Sequence, residues 1–185
     1  MPPKRNAGEY TLRSGSSVVV FWIGASVMAI LAATPVVRGD GRLFAFVVAP
    51  CLLVVWVLWI ALYRPAVRYD ERRAVVVNIG RTHVVPWSRV ESVRQRIGLV
   101  FELEGGRVIT AAGVPPPRRV GNVAGNFDRR TRPTNYFDTN SELLENVRVA
   151  AAPSADSVAS KWDVVPLAIG AALVIAVVVE TLVGI

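Results

Sequence analysis

Reactive side chains are scarce in this 185-residue chain. Its single cysteine, Cys51, excludes an intrachain disulfide framework and any metal site built from several thiolates. Because it lies inside an apolar run, it reads as a small packing residue, with palmitoylation the lesser alternative. The single histidine, His83, is the one imidazole that a Ser-His-Asp or Cys-His site could use. It sits between Thr82 and Val84 in an alternating stretch with no nucleophile or ligand cluster beside it, so it reads as a solvent-facing or hydrogen-bonded strand residue. There is no Walker A loop, no dinucleotide fingerprint and no internal repeat. Basic residues alternate with acidic ones and no aromatic platform for bases is evident, which argues against nucleic acid as a partner. Glu102 and Glu104 share one strand face and read as a solvated pair. Nothing here warrants an enzyme, and no cofactor or metal is expected.

Charge is missing from three long stretches. Residues 14–37 carry none, nor do residues 43–63, LFAFVVAPCLLVVWVLWIALY, and residues 164–185 are interrupted only by Glu180. Each meets the roughly 20 residues needed to cross about 30 Å of hydrocarbon. The first run follows Lys4, Arg5 and Arg13, but it exceeds the roughly 7–15 residues of a signal-peptide core and a second run follows almost at once. An uncleaved hairpin of transmembrane helices at 17–37 and 43–63 is therefore expected, with a third helix at 164–185. Glu180 lies close enough to the terminus to sit at the water interface, the alternative being an ionisable group inside a bundle.

Positive charge sets the orientation. Lys4, Arg5 and Arg13 precede the first run and Arg64, Arg68, Arg72 and Arg73 follow the second, whereas the connector RGDGR offers Arg38 and Arg42 against Asp40. The positive-inside rule then places residues 1–16 and the middle region in the cytoplasm and the C-terminus outside, in a multi-pass protein of the cell membrane. Trp22, Trp59, Tyr63 and Trp162 fall near the ends of the runs, as interfacial anchors do. Trp56 is deeper and is expected to pack against another helix.

Only the middle region, 64–163, is large enough for a folded domain. AVRYDE, AVVVNIGRTHVVPW, RVESVRQR and GLVFELEGGRVITAAG alternate apolar with polar residues between glycine and charged breaks, which predicts a meander of antiparallel strands. FELEGGRVIT is the clearest hairpin: Phe101 and Leu103 alternate with Glu102 and Glu104, Gly-Gly turns the chain, and Val108 and Ile109 resume. Residues 115–139, rich in proline, glycine, asparagine and arginine, read as a loop insertion. NSELLENVRVAA predicts a short helix capped by Asn140 or Ser141, with Leu143, Leu144 and Val147 on its apolar face. Residues 152–163 read as a linker. The fold class expected is thus a membrane protein of α+β type, an N-terminal helical hairpin followed by an antiparallel, partly open barrel with a C-terminal helix over residues 64–151, then the third helix.

The run RPAVRYDERRAVVVNIGRTHVVPWSRVESV resembles the bacterial PH domain of the low-molecular-weight protein antigen 6 type, found in membrane-anchored actinobacterial proteins. The features that carry the likeness are Pro65, Asp70 and Glu71, Arg81, and Val85-Pro86-Trp87-Ser88-Arg89-Val90, with FELEGGRVIT matching the later hairpin. The resemblance implies a PH-like barrel over about 64–114, extending to the helix near 141–151. Within it Pro86 imposes a turn that sends Trp87 to the barrel's inner side. Ser88 caps a turn or opens the next strand and is not expected to be a nucleophile.

The middle region holds sixteen Lys or Arg against eleven acidic residues. Topology and solubility account for much of that excess. Anionic inner-leaflet lipid is the sharper explanation, and the candidate contacts are Arg64, Arg68, Arg72 and Arg73 beside the second run with Arg118, Arg119, Arg129, Arg130 and Arg132 on the insertion. The expected function is noncatalytic: a PH-like interaction domain at the cytoplasmic membrane face, touching membrane lipids and recruiting or assembling a membrane or cytoplasmic protein partner. The alternatives are an accessory subunit of a membrane transporter or envelope enzyme complex, motivated by Glu180, Cys51 and Pro50, and a sensor of anionic lipids.

Overall fold

The computed structural model describes residues 10–95, 98–114 and 139–183. It is an α+β chain with antiparallel sheets and three helices long and apolar enough to cross a membrane. Helix α1 spans Gly15–Arg38, starting ahead of the expected 17–37 because Ser14 caps it: the Ser17 N–H donates to Ser14 Oγ at 3.3 Å. Gly39 ends it in the left-handed conformation, φ 68°. Asp40 then caps helix α2, Gly41–Leu58, accepting the Leu43 N–H at 2.9 Å. A single π-turn, Trp59–Tyr63, extends α2 until the Arg64 N–H closes on Trp59 O at 2.8 Å. Pro65 follows with no N–H to donate, so the helix stops there.

Strands β1 (Tyr10–Leu12), β2 (Ala66–Tyr69), β3 (Arg73–Val77), β4 (Arg81–Pro86) and β8 (Ala159–Trp162) form one antiparallel sheet in the order β1-β2-β3-β4-β8. Strands β5 (Val90–Gln95), β6 (Leu99–Leu103) and β7 (Arg107–Ala111) form the second. Helix α3 is Thr139–Ala150, and α4 runs Val164–Val183 directly after β8. Two expectations are corrected. The N-terminal tail contributes β1, whose Leu12 pairs with Val67 and whose Tyr10 stacks on Tyr69 at 5.5 Å. The supposed linker contributes β8, in register with β4 from Arg81↔Trp162 to Val84↔Ala159.

Alternation along each strand builds the core. Val67, Tyr69, Ala74, Val76 and Val85 point inward from the first sheet, facing Val93, Leu99, Phe101, Leu103, Ile109 and Ala111 of the second. Leu144 of α3 closes the interior, fully buried, while Leu143 beside it is exposed. Asn140 and Ser141 lie within the first turn of α3 and not ahead of it. Glu145 and Arg148 of α3 form an ion pair and cover the outer edge of β5: the Val93 N–H donates to Glu145 Oε2 at 3.2 Å and Arg148 donates to Val90 O at 3.3 Å. Arg148, chiefly through its hydrogen bond, holds the Glu145 carboxyl below the usual carboxylate range. The edge is thereby closed to a further strand.

The helices meet the sheets at one rim. Two residues separate β1 from α1, Arg64 and Pro65 separate the α2 turn from β2, and Asp163 alone separates β8 from α4. Asn78, in the β3–β4 turn, ties the two sheets there: its amide donates to Thr110 O at 2.8 Å and its Oδ1 accepts the Ala112 N–H at 3.0 Å. Ser14 N–H donates to Gly113 O at 3.0 Å, and Gly113 packs so close to the Pro65 backbone that any Cβ would overlap it. The helices contact each other where side chains are small: a Cβ on Gly24 would overlap Leu58, and one on Gly170 would overlap the Trp56 indole. Trp56 Nε1 also donates to Pro166 O at 3.1 Å, so the helix against which it packs is α4.

Candidate functional site at the helix and sheet junction

The rim gathers the described polar and aromatic groups nearest the apolar helices, and the expected lipid contacts distribute unevenly around it. Arg64 lies at the rim but is already neutralised: its Nη2 is 2.5 Å from Asp163 Oδ2, and its Nη1 donates to Asn78 O at 2.9 Å. Thr82 Oγ1 donates to the same carboxylate at 2.9 Å. The pair therefore locks the end of α2 to the start of α4 and the first strand positions of β4. Arg68 is on the outer face of the first sheet, between Thr11 and Val75. Arg72 and Arg73 flank the β2–β3 turn, and an extended strand rising about 3.4 Å per residue carries that turn roughly 10 Å or more from the rim. Arg73 is also paired there with Asp70 at 3.5 Å. Sequence proximity to the second apolar run thus does not translate into proximity to the helices. Arg118, Arg119, Arg129, Arg130 and Arg132 lie outside the described residues.

The Pro86-Trp87-Ser88 corner is at the same remote end. Trp87 is 2% exposed, its Nε1 donates to Asp70 O at 2.8 Å, and its ring centroid is 6.3 Å from that of Phe101. Ser88 Oγ donates to Ser154 O at 2.8 Å, pinning the segment that leads into β8, and it caps no helix. Glu102 accepts from Ser92 Oγ of β5 at 2.5 Å, and Glu104, just past β6, pairs with Arg89, just before β5, at 2.8 Å, so both carboxylates are engaged. Among the described residues no group of three His, Cys, Asp or Glu is placed to hold a metal ion.

What sequence reasoning missed at the rim is a set of arginines laid on aromatic rings. Arg13 sits over Tyr63 at 4.6 Å, beside Phe21 and Trp22, and Arg81 sits over Trp162 at 3.6 Å. Only the β4–β8 pairing, made across a separation of about eighty residues, brings Arg81 to Trp162. The same register sets His83 opposite Ser160. His83 is partly buried, and among the described residues its Nδ1 is shut off from solvent without a hydrogen-bond partner. Burial first, then Arg107 and Arg81, push its pKa below the ordinary 6.5, with Asp163 opposing them.

That displacement links stability to pH. The unfolded chain holds the imidazole proton more tightly than the folded one, so the stabilisation is complete above pH 6.5 and is lost as pH falls from there toward the lower folded value. Thermal unfolding of the full chain should therefore show a midpoint that falls between pH 7.5 and 5.5, and His83→Gln should reduce that fall. Equal falls in the two proteins would disprove the linkage.

No protein-family model matches this chain, and no curated protein or solved structure matches it.

Proposed function

We propose that the chain is a noncatalytic integral membrane protein that holds a PH-like interaction domain at the cytoplasmic face of the cell membrane, where the domain recruits or assembles a protein partner. The observation that carries this reading is the shared rim. Strands from before α1 and from before α4 both enter the first sheet, and Arg64 and Asp163 clamp α2 to α4. A domain fastened at three helix ends cannot swing freely, and it turns a fixed face away from the helices. Two antiparallel sheets packed face to face and closed by a C-terminal helix support the PH-like assignment, as does the resemblance of residues 64–114 to the low-molecular-weight protein antigen 6 type. Arg13, Arg64 and Arg81 at the rim favour the cytoplasmic side under the positive-inside rule.

Proximity labelling from the full-length protein in native membranes, compared with a chain lacking residues 64–163, tests the proposal. Neighbours that disappear with the domain are expected, and an unchanged set would defeat it. A second reading, an accessory subunit of a membrane transporter or envelope enzyme complex, draws on Glu180, whose Oε2 is shut off from solvent in α4 without a hydrogen-bond partner among the described residues. Retention of one and the same complex by the helices alone would favour that reading.

A further inference from the structure

Ion pairing divides the arginines into two classes. Arg64, Arg73, Arg89, Arg94 and Arg148 each face a carboxylate. Arg81 faces none among the described residues, since the nearby Asp163 is taken by Arg64 and Thr82. Its guanidinium lies over the Trp162 indole, Cζ 3.6 Å from the ring centroid. Stacking through its face leaves the N–H edges of the fork free to bond in plane. Side chains alternate along a strand, and the β4–β8 register therefore places Arg81, His83, Ser160 and Trp162 on one face of the sheet. That face carries Val85 and Val76 into the core, so the four residues occupy the strip where the core runs out to the rim.

Depth points to the ligand. Trp162 is 59% exposed and stands two residues from the start of α4. Ile79, in the turn just before Arg81, is 56% exposed, and the neighbouring Gly80 packs toward Leu167 of α4, where an added Cβ would lie 3.6 Å from its side chain. An exposed tryptophan at the head of an apolar helix marks the level at which lipid headgroups lie, and the exposed isoleucine beside it adds apolar surface at the same end. We infer that Arg81, seated on Trp162 with Ser160 and His83 beside it, holds the phosphate of an anionic lipid headgroup. The Arg81 fork donates to the phosphate oxygens and the Ser160 hydroxyl supplies a further donor. The surplus of positive charge that Arg107 and Arg81 impose, after burial, on His83 is then relieved by the bound anion. The assignment rests on the membrane insertion proposed above and not on the recruitment of a protein.

The chain's one histidine gives a single imidazole signal in the NMR spectrum of the full-length protein in zwitterionic detergent. Dioctanoyl phosphatidylglycerol is expected to move that signal saturably, and dioctanoyl phosphatidylcholine to leave it in place. Arg81→Gln should weaken the response at least tenfold, Arg81→Lys should weaken it less, and Arg72→Gln, which removes the same charge from the remote end, should match the wild type. If Arg81→Gln does not fold, the comparison of Arg81→Lys with Arg72→Gln decides. Indistinguishable responses from the Arg81 and Arg72 variants would overturn the inference. An equal response to inorganic phosphate would overturn it in favour of a free-phosphate site, and a response to a glutamate-rich peptide but not to the lipid would overturn it in favour of a protein ligand. Failure to find a recruited partner leaves all of these outcomes readable.

Discussion

Trp87→Ala will destabilise the sheet domain by about 3–5 kcal/mol, the range for deleting a large buried aromatic side chain. Trp87 is 2% exposed and packs beside Phe101 at the meeting of the two sheets. Its indole also has a polar duty, because Nε1 donates to Asp70 O at 2.8 Å while its backbone N–H donates to Arg72 O at 3.1 Å. Asp70 in turn accepts the N–H groups of Arg72 and Arg73, each at 2.8 Å. One residue therefore fills the core and fixes the β2–β3 turn across it. Trp87→Phe, which keeps a ring but strands the Asp70 carbonyl, should lose only about 1–2 kcal/mol from the hydrogen bond. Urea unfolding of the full chain in detergent, followed by near-ultraviolet circular dichroism, should rank wild type above Trp87→Phe and Trp87→Ala last. An alanine variant within about 1 kcal/mol of wild type would sink the core role.

The corner around Trp87 was readable because its cause is local. Pro86 has φ −63° and ψ 139°, one 3₁₀ turn follows, and β5 resumes at Val90. The β6–β7 hairpin is local in the same way: Gly105 and Gly106 take φ 80° and 76°, values open to glycine at little cost. The apolar helices were legible from length and lack of charge, with ends displaced by the caps Ser14 and Asp40. Strands β1 and β8 were not. Three or four residues carry too little periodicity to announce a strand, and each acquires its identity from a partner far along the chain, β1 from Tyr69, Arg68 and Val67, β8 from Val84 to Arg81.

The same distance explains the redistribution of the candidate site. Arg64, Arg68, Arg72 and Arg73 form one basic cluster when read along the sequence. A hairpin separates them in space, and Asp163, ninety-nine residues beyond Arg64, neutralises the one that stays at the rim. Conversely Arg81 and Trp162 look unrelated in sequence and are direct cross-strand neighbours. Charge counts predict where positive potential accumulates, whereas availability for a ligand depends on which cations long-range pairing leaves without a carboxylate.

Gly170→Leu should dislodge α4 from α2. The Trp56 indole lies where a Gly170 side chain would begin, and the Trp56 Nε1 bond to Pro166 O anchors the same contact one turn earlier. Between helices in lipid, the setting proposed for α2 and α4, close packing and such hydrogen bonds supply the association that the hydrophobic effect supplies in water, so an added side chain at this point has no compensating gain. The single cysteine reports the result, because Cys51 is buried in α2 and is the one thiol available to label. Maleimide labelling of the full-length protein in mild detergent should accelerate at least tenfold in Gly170→Leu. Gly41→Ala, whose added Cβ meets nothing within 4 Å, should leave it unchanged. Trp56→Ala combined with Gly170→Leu should restore part of the protection, because removing the indole makes room for the leucine. A Cys51 that stays protected in Gly170→Leu would mean that the added leucine leaves the packing around α2 intact and that the Trp56 and Gly170 contact does not govern it.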